Sequence, residues 1–149
     1  MKLEEEIHQK SFKSPQQKLA INLIFTSNWL NSKYDHFFKG LDLTHQQYNV
    51  LRILRGQHPK PCSLKYIKER MLDKMSDTSR ILDKLVLKGY SKREICSEDR
   101  RSINASISDK GLAILKELDF IDDITKETFK NLPRTKIKLL NDLLDQLRG

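Results

Sequence analysis

Residues 97–108 constrain the fold more than any other stretch of this chain. Ser97-Glu98-Asp99-Arg100-Arg101-Ser102 sets two adjacent arginines behind two carboxylates, and Ile103-Asn104-Ala105-Ser106-Ile107-Ser108 then alternates apolar and polar without a break. Successive side chains of a strand point to opposite faces, so strict alternation marks a strand with one face buried. A partner strand is expected over residues 90–96. Ahead of it, an amphipathic helix is predicted from Met75 to Lys88, closed by Gly89. Helix, strand, charged loop and returning strand together make the skeleton of a winged helix-turn-helix.

The helix has two faces. Met75, Thr78, Leu82, Leu85 and Val86 project within about 80–100° on a wheel of 3.6 residues per turn, the expected buried stripe. Ser76, Arg80, Asp83 and Lys84 point the opposite way, with Asp77 and Ser79 at the margins. Hydroxyls, a carboxylate and an arginine suit base edges and phosphates in a major groove, which admits one helix. Arg80 is the strongest single candidate, because a planar guanidinium grips guanine or phosphate bidentately. The same face also fits a solvated surface with an ion pair between Arg80 and Asp83. The arginine loop favours the first reading. A two-stranded wing projects past the globule and reaches a minor groove, where arginine meets concentrated negative potential. Asp99 would repel phosphate there; its expected role is to hold a neighbouring guanidinium through a fork-shaped pair. The alternative is an exposed hairpin whose surface ion pair stabilises little.

Charge agrees. The formal net charge is +8, and residues 55–101 carry 13 Lys and Arg against 7 Asp and Glu, a balance of +6. So most of the excess sits on about a third of the chain, the footprint expected for a polyanionic partner. Cys62 and Cys96 make no disulfide framework. The start, Met1-Lys2-Leu3-Glu4-Glu5-Glu6, is too polar for a signal peptide, and no apolar run approaches the roughly 20 residues that span a bilayer. A reduced, cytoplasmic chain with no membrane partner is expected.

The remaining segments read as helices. Residues 1–13 are expected to be a polar arm. Ser14-Pro15-Gln16-Gln17 opens a helix that runs to about Gly40, with Leu19, Leu23, Ile24, Leu30, Tyr34 and Phe37 as its apolar stripe. That face is broad enough to meet a second subunit. Thr44-His45-Gln46-Gln47 is a capping box for a helix ending at Gly56, and the prolines of His58-Pro59-Lys60-Pro61 exclude helix there. Ser63 caps a short helix to Met71. After the strands, Ser108-Asp109 starts a long helix with Leu112, Leu115, Leu118, Ile121 and Ile124; Pro133 interrupts, and a last helix carries Ile137, Leu140, Leu143, Leu144 and Leu147. The expected fold is mainly α with a small β-hairpin wing, one domain over residues 1–149.

Ser79-Arg80-Ile81-Leu82-Asp83-Lys84-Leu85, then Lys88-Gly89-Tyr90, then Asp99-Arg100-Arg101-Ser102 and Ser108-Asp109-Lys110-Gly111 follow one another in the order and spacing of a known family. From about Ile67 to Ser108 the chain resembles the MarR (multiple antibiotic resistance regulator) family of bacterial transcription factors, and the flanking helices agree in number and placement. The resemblance implies a winged helix-turn-helix over residues 44–108 between long dimerisation helices at about 14–40 and 109–149. It implies a homodimer of roughly triangular outline, each subunit presenting its wing and recognition helix to half of a pseudo-palindromic operator. Ser79 and Arg80 match recognition-helix contacts, Arg101 the wing arginine, Asp99 its holding carboxylate, and Arg100 a further backbone contact; Ser76, Asp77 and Lys84 complete the expected DNA face. Two departures concern geometry. The helix-turn-helix turn reads Leu72-Asp73-Lys74 where the family often has Gly-Leu-Ser, and Ile95-Cys96-Ser97 lacks a frequent proline.

The resemblance also implies a small effector, often an aromatic acid, bound between the dimer helices and the DNA-binding lobe, which would release a repressor from its operator. Trp29, Phe37, Phe38 and Tyr48 are the candidate lining, although aromatic residues at helical spacing also serve as plain core. A thiol-based redox regulator using Cys96 or Cys62 is an alternative: Cys96 lies near Arg93 and the wing, where a thiolate would be favoured. A helical protein-interaction module with a basic face is another; it needs no arginine-tipped hairpin. His8, His36, His45 and His58 are scattered without zinc-type spacing, so no metal or other cofactor is expected. No phosphate loop, nucleophile elbow or His-Glu-x-x-His occurs, and no catalytic residue is expected.

Overall fold

A computed structural model describes residues 1–95 and 103–149 of the chain. Cys96, Asp99, Arg100 and Arg101, four of the residues singled out above, lie outside the described residues. The elements run α1 (Leu3–Glu6), α2 (Pro15–Gly40), α3 (His45–Gln57), β1 (Cys62–Ser63), α4 (Leu64–Arg70), α5 (Thr78–Leu87), β2 (Ser91–Ile95), β3 (Ile103–Ile107), α6 (Asp109–Glu117), α7 (Ile121–Thr128) and α8 (Arg134–Arg148). The strands form an antiparallel sheet in the order β1-β3-β2. Ser91 faces Ile107 and Ile95 faces Ile103 across the hairpin, while Cys62 faces Ala105. Among the described residues, no helix is long and apolar enough to cross a membrane.

Helix starts follow the local chemistry of the chain. Ser14, Thr44, Ser63 and Ser108 each accept the backbone N–H three residues on, satisfying a donor that the first turn leaves unpaired. At Thr44 the box is complete, because the Gln47 side chain takes the Thr44 N–H in return. At Ser14, Gln17 reaches one residue further back, to the Lys13 N–H.

The core gathers Val50, Leu51 and Leu54 of α3, Ile67 of α4, Leu82 and Leu85 of α5, Ala105 and Ile107 of β3, and Ile114, Leu115 and Leu118. The alternation in β3 thus does what it predicts: it aims Ala105 and Ile107 inward. Gly89, with φ +75°, turns the chain from α5 into β2, and the Gly89 and Tyr90 N–H groups close the helix on the carbonyls of Val86 and Leu85.

Five expectations are corrected. The first residues are not a free arm: α1 buries Leu3, and Glu4 pairs with Lys18 of α2. A third strand, β1, joins the sheet ahead of the Ser63 cap. The helix after the wing breaks at residues 118–120. There Leu118 is buried, the hydrogen bonds tighten to i→i−3, and Phe120 packs edge-on against Phe37 of α2 at 4.8 Å. The recognition helix starts at Thr78 rather than Met75, because Asp77 caps it. Met75, placed in its buried stripe, is 93% exposed, and Val86 is only half-buried.

Candidate nucleic-acid interface

The α4–turn–α5 unit is held by short polar links. Asn49 of α3 accepts the Leu72 N–H at 2.9 Å. One Asp73 oxygen accepts the Met75 N–H at 3.0 Å, and the other accepts the Ser76 hydroxyl at 2.7 Å. The Ser76 hydroxyl and the Met75 N–H together hold the Asp73 carboxyl below its usual range. Lys74 turns back to the Glu69 carbonyl. Asp77 then accepts the Arg80 N–H at 3.1 Å as the N-cap of α5. Leu72-Asp73-Lys74 therefore builds a defined turn without the glycine that the family often uses.

The sequence-predicted residues of this face divide into two kinds. Ser76 and Asp77 are engaged in shaping the turn and cap. The Ser79 hydroxyl accepts from Arg93 Nη2 at 3.2 Å, and Arg93 Nη1 pairs with Asp83 at 2.7 Å. The pairing of Arg80 with Asp83 is thus replaced by one between Asp83 and Arg93 of β2. Arg80 and Lys84 are exposed, and among the described residues neither is paired with a carboxylate. They share a cleft of about 400 Å³ with Thr44, Gln46, Gln47, Asp73, Ser76, Asp77 and Ile81. Among the described residues, the outer surface of α5 therefore offers two cations without a carboxylate partner beside a polar cleft.

Arg93 was not among the predicted site residues. Its signal was its register: it stands on β2 opposite Ala105, with the recognition helix beneath it. A bidentate guanidinium there locks α5 to the wing's first strand. Ser108 performs a second such link, donating its hydroxyl to the Gly89 carbonyl at 2.6 Å while accepting the Gly111 N–H. Gly111 is required beside it, since a Cβ would lie 2.2 Å from the Tyr90 carbonyl oxygen.

The aromatic candidates separate. Phe38 is core, 3% exposed and stacked near His45 and Tyr48. Phe37 packs on Phe120, and burial pushes the Tyr48 hydroxyl's pKa up. Only Trp29 borders the larger cleft, of about 520 Å³, with Lys33, Phe120, Asp123, Ile124, Glu127 and Thr128. Cys62 is buried in β1, and burial pushes its thiol up, away from the reactive thiolate.

The MarR family model matches residues 43–103, from just after α2 through α5 and β2 to the first residue of β3. Over that stretch the chain is similar to the MarR family. It is 27% identical over 126 residues to the HTH-type transcriptional regulator SarZ of Staphylococcus haemolyticus, covering 85% of this chain and 84% of that one. Its fold matches a mutant MarR from Escherichia coli solved with operator DNA, with a TM-score of 0.78 at 22% identity over the whole of both chains. It also matches Bordetella bronchiseptica BpsR, whose DNA binding is regulated by 6-hydroxynicotinic acid, with a TM-score of 0.73 at 20% identity over 89% of this chain and 99% of that one. Within this MarR-type fold, α3, α4 and α5 with the sheet are the winged helix-turn-helix.

Proposed function

We propose that this chain is a sequence-specific, duplex-DNA-binding transcriptional regulator of the MarR family that acts as a homodimeric repressor in the cytoplasm. The observation that carries the reading is the outer face of α5, where, among the described residues, Arg80 and Lys84 have no carboxylate partner on a helix held by the Asp77 cap and by Arg93 of β2. A fixed helix with Arg80 in its first turn and Lys84 further along the same outer face suits a major groove. Arg80 and Lys84 contact DNA directly. Ser76, Asp77 and Ser79 shape that face and lie within reach of the backbone. Arg100 and Arg101 act from the wing, with Asp99 holding a guanidinium in place. This is the chemistry of a regulator, not a catalyst.

Residues 14–40 and 109–149 supply the dimer interface in this reading. Leu19 and Ile24 of α2 and Leu139, Leu140, Leu143 and Leu147 of α8 are exposed in the single chain, and a second copy would bury them. The cleft at Trp29 suits a small aromatic effector: Trp29 and Phe120 offer ring faces, and Lys33 offers a cation for a carboxylate. In this reading the effector site lies in the cleft between α2 and α7 rather than at the core residue Phe38 or at Phe37 and Tyr48, which pack against the core. The buried Cys62 gives no support to thiol sensing.

Selection of bound sequences from a random duplex pool tests the reading. The expected result is one enriched, two-fold symmetric site with half-sites about 10 base pairs apart, one helical turn. A pool that stays random at low salt would overturn it.

A further inference from the structure

The turn that opens the recognition helix carries two large apolar side chains in water. Leu72 is 87% exposed and Met75 93%. Neither is loose: the Leu72 N–H is held by Asn49 and the Met75 N–H by Asp73. The same Asp73 carboxylate fixes Ser76. The backbone is thus organised so that both side chains project, although Met75 matches the α5 stripe by spacing. Exposing apolar surface is unfavourable, so a fixed display of this kind points to a contact made in a complex.

We propose that Leu72 and Met75 read thymine, by packing against the C5-methyl groups that only thymine presents in the major groove. The inference rests on the DNA-binding reading of α5 and adds the base that its turn selects. Place in the fold decides the occupant. Asp73 and Lys74 sit between the two side chains, with Glu69 and Arg70 before them and Asp77 and Arg80 after, so the patch is small and interrupted by charged groups of both signs. An apolar protein partner would need a broader unbroken surface. A base edge is read by single apolar contacts of this kind set among polar and charged groups. Met75 precedes the cap Asp77 by two residues and so lies at the N-terminal end of α5, the end that meets base edges in helix-turn-helix complexes. Leu87 is equally exposed but lies at the far end of the same helix, outside the proposed contact.

Deoxyuridine in place of thymine removes the methyl and keeps the base pair. The test uses the duplex that the full chain selects from a random pool, with each thymine replaced in turn. At one or more positions of each half-site, the wild-type chain is expected to bind about fourfold more weakly, the equivalent of one buried methyl-sized group. Met75→Ala or Leu72→Ala is expected to bind the thymine duplex more weakly by a similar factor and to lose its response to that substitution. Leu87→Ala keeps both the affinity and the response. Unchanged thermal midpoints for these exposed positions show that the losses are not unfolding. The proposal is overturned if the wild-type chain ignores every substitution, or if both alanine variants keep the full deoxyuridine penalty. A chain that selects a duplex yet gives either result loses this inference alone; a chain that selects none loses the DNA-binding reading as well.

Discussion

Arg80 is the third residue of α5, and its backbone and side chain have separate tasks. Its N–H is taken by the cap Asp77, which fixes the helix start, while its guanidinium reaches the cleft without a carboxylate partner among the described residues. Such a group holds its hydrogen-bonding fork ready for a base or a phosphate. Arg80→Ala is expected to weaken binding to the preferred duplex by about 1–3 kcal/mol and to relax the preference at one base position. Competition titrations against matched and random duplexes measure both effects; an equal loss on the two would assign Arg80 to phosphate alone. Asp83 shows where residue-level reading stops. Its neighbours in sequence suggested Arg80 as partner, but the strand brings Arg93 to 2.7 Å and takes the carboxylate away. That leaves Arg80 without that partner, so the cross-element pair sharpens the case for its role.

At the scale of elements, local signals were legible and long-range ones were not. The four Ser and Thr caps, the Gly89 stop and the alternation of β3 are decided within a few residues, and each stands where the sequence places it. The two-residue β1 was missed because its pairing with β3 joins segments some forty positions apart. The break at residues 118–120 was missed because leucine periodicity continues through it; only the contact of Phe120 with Phe37 shows why the chain turns. The start of α5 was misplaced for a more useful reason. Met75 fits the stripe by spacing, but the Asp73 and Asp77 hydrogen bonds override it and turn the side chain outward. The junction of β2 and α6 is closely packed at Gly111. Gly111→Ala would force the Tyr90 carbonyl or α6 to move, and overpacking of this kind costs about 1–3 kcal/mol. Denaturant unfolding is expected to show a lower midpoint with an unchanged slope; a wild-type midpoint would mean that α6 is free to shift.

Across the whole molecule, the two ends of the chain and its middle have different surfaces. The middle is a closed core beneath a basic helix-turn-helix, with +6 of the +8 charge on residues 55–101. The ends leave apolar faces open: α8 has no buried residue, and Leu139, Leu140, Leu143 and Leu147 of α8 and Leu19 and Ile24 of α2 are exposed. The midsection of α2 is tied down where it crosses the lobe. Tyr34 shares a hydrogen bond with Thr125 at 2.8 Å, and Asp35 meets His45 of α3 at 2.8 Å. A ligand wedged at Trp29, about a turn and a half from Tyr34 on α2, would therefore press on the element that links the proposed dimer helices to the proposed DNA-binding lobe. All of this depends on one central claim, that the basic face of the lobe docks on duplex DNA. The affinity for a short duplex, measured as salt is raised, tests it most directly. Binding is predicted to fall linearly on a log–log plot, with a slope of about −0.9 for each phosphate neutralised. An affinity that does not change with salt, or no binding at low salt, would contradict the account.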